Sequence, residues 1–180
     1  RRPPISTLFP YTTLFRSAAG WTYLFASASE SYIWDEAGYD IHPDWGLPEF
    51  HSGAHGLRTH TQREGHTLVW QDAQVKPSTR YHASAWVKGT DLHGKGFGQT
   101  PGDVASLVVQ EYCCAGKLLV DHPPQSLTEA GQWLRLELTF TTTATTTQVR
   151  FLLDSRIAGP YDEGHITWDD CELVEVGVGE

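Results

Sequence analysis

A chain of 180 residues suits one well-filled domain and is short for two. With 17 glycines, 10 prolines, 12% aromatic residues and no long run of helical periodicity, it reads as a turn-rich β protein rather than a helical enzyme core. A formal charge of −9 argues against nucleic acid or an anionic membrane surface as partner, and no apolar run approaches the roughly 20 residues that span a bilayer.

Residues 1–17 do not match the rest of the chain. They hold none of its 22 acidic residues and carry the near-duplicates Thr7-Leu8-Phe9 and Thr13-Leu14-Phe15. Thr7 to Ser17 matches the in-frame translation of a widely used DNA-sequencing adapter, which would make the chain an open reading frame from a metagenomic library. A secretory signal is the competing reading, with Arg1-Arg2 leading and Ala18-Ala19-Gly20 as cleavage site, but Pro3, Pro4 and Pro10 interrupt the apolar stretch it needs. The expectation is that 1–17 is not part of the fold and that 18–180 is the domain.

Beyond Ala18, turn signals recur at short intervals, the mark of an all-β sandwich. The expected strands are Trp21 to Phe25, Tyr32 to Trp34, Gly56 to Thr61, Thr67 to Val75, Arg80 to Lys88, Val104 to Tyr112, Trp133 to Thr141, Gln148 to Leu153 and His165 to Val174. Together they are enough for a two-sheet antiparallel β-sandwich. Leu134, Leu136, Leu138 and Phe140 alternate with Arg135, Glu137 and Thr139, as half-buried antiparallel strands do. Between the second and third strands, Ser31 to Glu49 forms an aromatic and acidic loop whose Trp45, before Gly46 and Pro48, reads as an exposed tip. Such a loop either builds a binding rim or is pinned by its own aromatics.

Val69 to Lys88 reads as two strands around a Pro77 turn. Val69, Gln71, Ala73 and Val75 share one parity and Tyr81, Ala83, Ala85 and Val87 another, so each strand can give one face to a core and one outward. The outward parities carry Trp70 and Trp86, which form either a ligand platform or a second packing layer. Gly89 to Gly102 is a long loop, and its Gly94-Lys95-Gly96-Phe97-Gly98 lacks the strand-to-helix context of a phosphate loop. Cys113, Cys114 and Cys171 fit neither a disulfide framework nor a zinc spacing; free thiols are expected, with a bridge to Cys171 only if the strands come close. His51, His55, His60 and His66 do not match a helical zinc pattern.

Four pieces of the chain carry a family resemblance: His51 to Arg58; Gln71 through Lys88; Ala105 to Tyr112 with the turn Ala115-Gly116-Lys117; and Gly131-Gln132-Trp133 leading to Trp168-Asp169-Asp170-Cys171-Glu172-Leu173. In order and spacing they resemble the galactose-binding-like jelly-roll carbohydrate-binding modules, the group that includes families 4, 9, 16 and 22. The likeness covers Gly20 to Val174. It implies a secreted, non-catalytic module that attaches a polysaccharide-degrading enzyme to a plant or microbial polysaccharide or oligosaccharide, with a catalytic domain as partner in the full-length protein. The family's usual first strand should stand where the adapter-like segment lies, so that strand is expected to be missing. The resemblance also implies a structural Ca2+ near His51, Ser52 and Asp169. Asp169 shares parity with Cys171 and Leu173 and is expected on the core side, where a cation or backbone N–H groups must offset its charge.

A sugar site needs flat aromatics for ring faces and polar groups for hydroxyls. Trp86, Trp70, Tyr112, Gln110, Arg58, His60 and Trp45 are the carbohydrate-binding candidates, whereas the resemblance implies that Tyr81 and Trp133 are core. If the strands share a sheet these residues form one platform; if the two halves of the hairpin join opposite sheets, only half can face one ligand. An accessory sandwich that binds no sugar would instead have both tryptophans covered. A glycan-active enzyme would need a carboxylate pair facing one cleft, such as Asp72 with Glu111 or Asp154 with Asp162, and no motif places two so.

Overall fold

The computed structural model describes residues 21–25, 31–35, 50–52, 56–62, 65–91, 103–127, 129–157 and 163–176. The adapter-like segment, the position of the expected missing strand and Trp45 lie outside them. Every expected strand is present, joined by two short ones. The strands are β1 (Thr22–Phe25), β2 (Ser31–Asp35), β3 (Leu57–Gln62), β4 (Gly65–Gln74), β5 (Arg80–Asp91), β6 (Val104–Cys113), β7 (Lys117–Asp121), β8 (Gln125–Ser126), β9 (Leu134–Thr141), β10 (Gln148–Ile157) and β11 (Glu163–Glu175). They form two antiparallel sheets, one ordered β1-β4-β10-β6-β7 with β8 also on β6, the other ordered β2-β3-β11-β5-β9.

The core is built by alternation. Val69 on β4, Leu107 and Val109 on β6, and Val149, Phe151 and Leu153 on β10 face Tyr81, Ala83, Ala85 and Val87 on β5 and Ile166, Trp168 and Leu173 on β11, all buried. Each fully buried Val, Leu, Ile or Phe contributes about 1.5–3 kcal/mol. Trp168 donates its indole N–H to Ser155 Oγ at 2.9 Å, which ties β11 to β10 across the interior and satisfies a buried donor.

The strands flanking Pro77 are not a hairpin. β4 lies in the first sheet and β5 in the second, so the turn at Pro77 and Ser78 carries the chain across the sandwich. Tyr81, wholly buried at the start of β5, accepts a hydrogen bond from the Lys76 N–H at 3.0 Å. The hydroxyl of Thr142, from the β9–β10 turn, donates to the Lys76 carbonyl at 2.7 Å and accepts the Thr79 N–H at 2.9 Å. The threonine-rich segment thus works as a clamp. It also covers Glu111, a buried carboxylate that accepts the Thr143 N–H at 2.9 Å, bonds to the Thr146 hydroxyl, and meets His122 Nε2 at 2.8 Å.

β11 contains a bulge that reverses its parity. Trp168 is paired with Val87, Asp169 with Trp86 and Glu172 with Ser84, so Asp170 and Cys171 together oppose Ala85. Asp170 takes φ 45°, the left-handed region that Asp tolerates better than most residues. Even-numbered residues face the core before the bulge and odd-numbered ones after it. Asp169 therefore shares the outer face of the second sheet with Trp86, not the core face with Cys171 and Leu173, as simple alternation implies. Cys113, Cys114 and Cys171 are free thiols.

Candidate functional site

Because β4 and β5 belong to different sheets, the outward residues divide between two opposite faces of the sandwich. Trp70, Gln110 and Tyr112 lie on the outer face of the first sheet. Trp86, Arg58 and His60 belong to the second sheet.

On the first sheet, strand register brings a sugar-type set together. Asp72, Arg150, Gln110 and Asp121 are cross-strand partners in one row over β4, β10, β6 and β7. Arg150 sits between two aromatic rings, its guanidinium carbon 5.0 Å from the Trp70 ring centre and 5.3 Å from that of Tyr112. Asp72 holds it by two hydrogen bonds, from Nε at 2.8 Å and Nη2 at 2.9 Å. That bonding raises the Arg150 pKa further, so the side chain is a permanent cation with a dedicated counter-ion. The Tyr112 hydroxyl donates to Gln110 Oε1 at 2.8 Å, and Gln110 Nε2 donates to Asp121 at 3.2 Å. Gln74 and Gln148 pair beside Tyr112 in the next row. The face thus offers ring faces flanked by amides, carboxylates and a guanidinium. Arg150, Gln148 and Asp121 were not among the expected site residues, although the alternation of Gln148 and Arg150 with Val149 and Phe151 already marks the first two as outward.

On the second sheet the face of Trp86 is taken. The His51 imidazole stacks on it with ring centres 3.8 Å apart and planes 13° apart, and Trp133 approaches His51 edge-on at 5.7 Å. Trp133 is therefore half-buried in this outer cluster rather than in the core that the family resemblance implies. Beside Trp86 runs a polar ladder in which Arg135 donates to Ser84 Oγ at 3.1 Å and lies 3.7 Å from Glu137 and 3.9 Å from Glu172. Arg58 is buried, as are its neighbours Leu57 and Thr59, and so are residues 166–169 of β11 alongside. Both faces of the sheet are covered at that end, which withdraws Arg58 from an outer ligand face. His60 pairs through its backbone with Tyr32 and His165 on the same sheet.

His51, Ser52 and Asp169 do converge, and Asp170 joins them. Asp169 Oδ2 accepts the N–H groups of His51 at 2.7 Å and Ser52 at 2.9 Å, and Oδ1 accepts that of Asp170 at 2.7 Å. Asp170 in turn bonds His51 Nδ1 at 2.8 Å and the Ser52 hydroxyl at 2.7 Å. Calcium requires several oxygens pointing inward, whereas here N–H donors surround the buried carboxylate. Among the described residues no cluster of three or more His, Cys, Asp or Glu could hold a metal. This arrangement fits a lock made by the protein alone and does not fit a calcium cage. Burial raises the Asp169 pKa above its ordinary value, against the opposing pull of the three N–H bonds.

The carboxylate pair Asp72 and Glu111 does not form. Asp72 is ion-paired on the outer face of the first sheet while Glu111, on the adjoining side of β6, is buried inside the sandwich. Asp154 meets His66 Nε2 at 2.7 Å, and Asp162 lies outside the described residues. Of the four clustered histidines, His60 and His66 fall on different sheets and His55 lies outside the described residues.

No protein-family model matches the chain, and no curated protein matches it. Solved structures do. The family 16 carbohydrate-binding module 2 superposes with a TM-score of 0.61 at 20% identity, covering 94% of this chain and 100% of that one. The CBM22-1 xylan-binding domain from Paenibacillus barcinonensis Xyn10C gives 0.60 at 13% identity over 99% of this chain and 100% of its own. The fold is that of the β-sandwich carbohydrate-binding modules. A larger protein carries it too: the enzymatically active domain of bacteriophage CBA120 tailspike protein 4 gives a TM-score of 0.67 at 10% identity over 92% of this chain, which spans 20% of that chain. Among the described residues no helix is long and apolar enough to cross a membrane.

Proposed function

We propose that the chain is a non-catalytic carbohydrate-binding module that takes a neutral polysaccharide or oligosaccharide on the outer face of its first sheet. The observation that carries this reading is Arg150 held between the rings of Trp70 and Tyr112, in one row with Asp72, Gln110 and Asp121. Aromatic faces suit the apolar C–H patches of sugar rings, and the flanking amides, carboxylates and guanidinium suit the hydroxyls. Asp72 neutralises Arg150, so the guanidinium in this row is already paired before an acidic sugar arrives. The fold shared with carbohydrate-binding modules supports the same reading. In its full-length setting the module brings a secreted polysaccharide-active enzyme to its substrate.

Affinity electrophoresis on soluble β-glucans, xylans, mannans and galactans tests the proposal. Retardation by at least one neutral glycan is expected, lost or strongly reduced in Trp70→Ala. Absence of binding across the panel would favour a sandwich that serves only to pack against a catalytic domain.

A further inference from the structure

β6 ends in two adjacent cysteines whose sulfur atoms lie 3.0 Å apart. Successive residues of a strand point to opposite faces, so neighbouring cysteines in an extended run hold their thiols apart. Here the chain leaves the strand between them. Cys113 is extended, at φ −120° and ψ −166°, while Cys114 opens a one-turn 3-10 segment that runs to Gly116. The change of direction swings both thiols together. Ala115 at φ 57° and Gly116 at φ 75° complete the turn in left-handed conformations, and the pairings of Cys113 with Lys117 and Tyr112 with Leu118 hold it from both flanks. Cys114 is exposed and Cys113 half-buried, whereas Cys171 is buried on the other sheet.

We infer that Cys113 and Cys114 form a thiol–disulfide site at the tip of the β6–β7 hairpin, which small disulfides convert into an intrachain bridge between the two neighbours. In the first step the Cys114 thiolate attacks one sulfur of a disulfide RSSR. The S–S bond breaks, a mixed disulfide forms at Cys114, and the departing thiolate takes up the proton that Cys114 released. In the second step the Cys113 thiolate attacks Cys114 Sγ, the remaining RS group leaves, and it takes the Cys113 proton. Two protein thiols are oxidised and one RSSR is reduced to two RSH.

The order of attack follows from the surroundings. Cys114 is the exposed sulfur, and the hydrogen bond with it is the main cause that holds the Cys113 thiol above its ordinary pKa. Cys113, half-buried beside the exposed Cys114 Sγ, acts as the resolving thiol. Bridging adjacent residues closes the shortest possible loop and constrains the unfolded chain very little, so the bridge serves chemistry at this tip rather than stability.

The test uses the full native chain incubated with oxidised glutathione, then acid-quenched, unfolded and alkylated for mass analysis. Wild type should end two hydrogens lighter with a single alkylatable thiol, and the change should map to the tryptic peptide from Gly96 to Lys117. Cys113→Ser should stop at one glutathione adduct on Cys114, and Cys171→Ala should form the bridge as wild type does. A persistent glutathione adduct on wild type, three thiols that stay alkylatable, covalent dimers, or loss of bridging in Cys171→Ala would each overturn the inference.

Discussion

A sugar ring stacks on an indole only where the indole face is open. His51 stacks on Trp86 at 3.8 Å as a second ring, whereas what lies over Trp70 is the Arg150 guanidinium, 5.0 Å from the ring centre, whose N–H groups can also bond a sugar hydroxyl. Trp86→Ala is therefore expected to leave the glycan dissociation constant unchanged and to lower the melting temperature, because the His51 turn loses its partner. Tyr112→Ala should do the reverse, weakening binding by about 1 kcal/mol, roughly fivefold, in calorimetric titration. If Trp86→Ala abolishes binding and Tyr112→Ala does not, the site lies on the second sheet. Asp169 anchors the same His51 turn and carries a pH signature. Its folded pKa is raised, so over the window from 3.8 up to that raised value the folded state binds more protons than the unfolded one, and its contribution to stability declines as pH rises. Asp169→Asn removes this decline and leaves N–H donors poorly paired, a loss of about 1–3 kcal/mol. Melting temperatures against pH for both proteins check it, and parallel profiles would refute it. Because N–H groups already satisfy the carboxylate, EDTA and added calcium should leave the melting temperature where it is; a cation bound only to the folded state would raise it with concentration.

Strands were legible from alternation because one buried face per strand imposes a period of two. Alternation carries no warning of a bulge, and in β11 one extra residue at Asp170 and Cys171 moved Asp169 to the side opposite from the one its spacing implies. Nor does it reveal which strand is the neighbour. The β4–β5 connection has the length and the Pro77 of a hairpin, yet the buried Tyr81 hydroxyl and the Thr142 clamp hold it as a crossing between sheets. Tyr81→Phe tests that role. It should cost about 0.5–1.5 kcal/mol through the lost bond to the Lys76 N–H, seen as a lower denaturant midpoint at unchanged slope. Ser155→Ala probes the opposite part of the sandwich. It leaves the Trp168 indole N–H buried without its acceptor, a cost of about 1–3 kcal/mol, and a midpoint within error of wild type would mean that the cross-sheet bond contributes nothing.

At the scale of the whole molecule, the topology decides what the sequence leaves open and puts the two tryptophans on separate faces. Trp70, Gln110 and Tyr112 were legible as site candidates because each is outward on its own strand; their union with Arg150 and Asp121, and their parting from Trp86 and Arg58, depend on a strand order that places β10 between β4 and β6. Charge then narrows what that face can hold. The chain carries −9, the row across the face holds Asp72 and Asp121, and its one guanidinium is already paired to Asp72. A polyuronide brings like charge to this row and finds its guanidinium already paired, whereas stacking of a neutral chain depends little on charge. Pectic polygalacturonan should therefore give no retardation in affinity electrophoresis at low ionic strength. For any neutral glycan that does bind, the affinity should change less than about twofold as salt shortens the reach of surface charges. Tight polyuronide binding that weakens with salt would show instead that Arg150 exchanges Asp72 for the ligand's carboxylate, and would turn the pair from a fixed support into the recognition element itself.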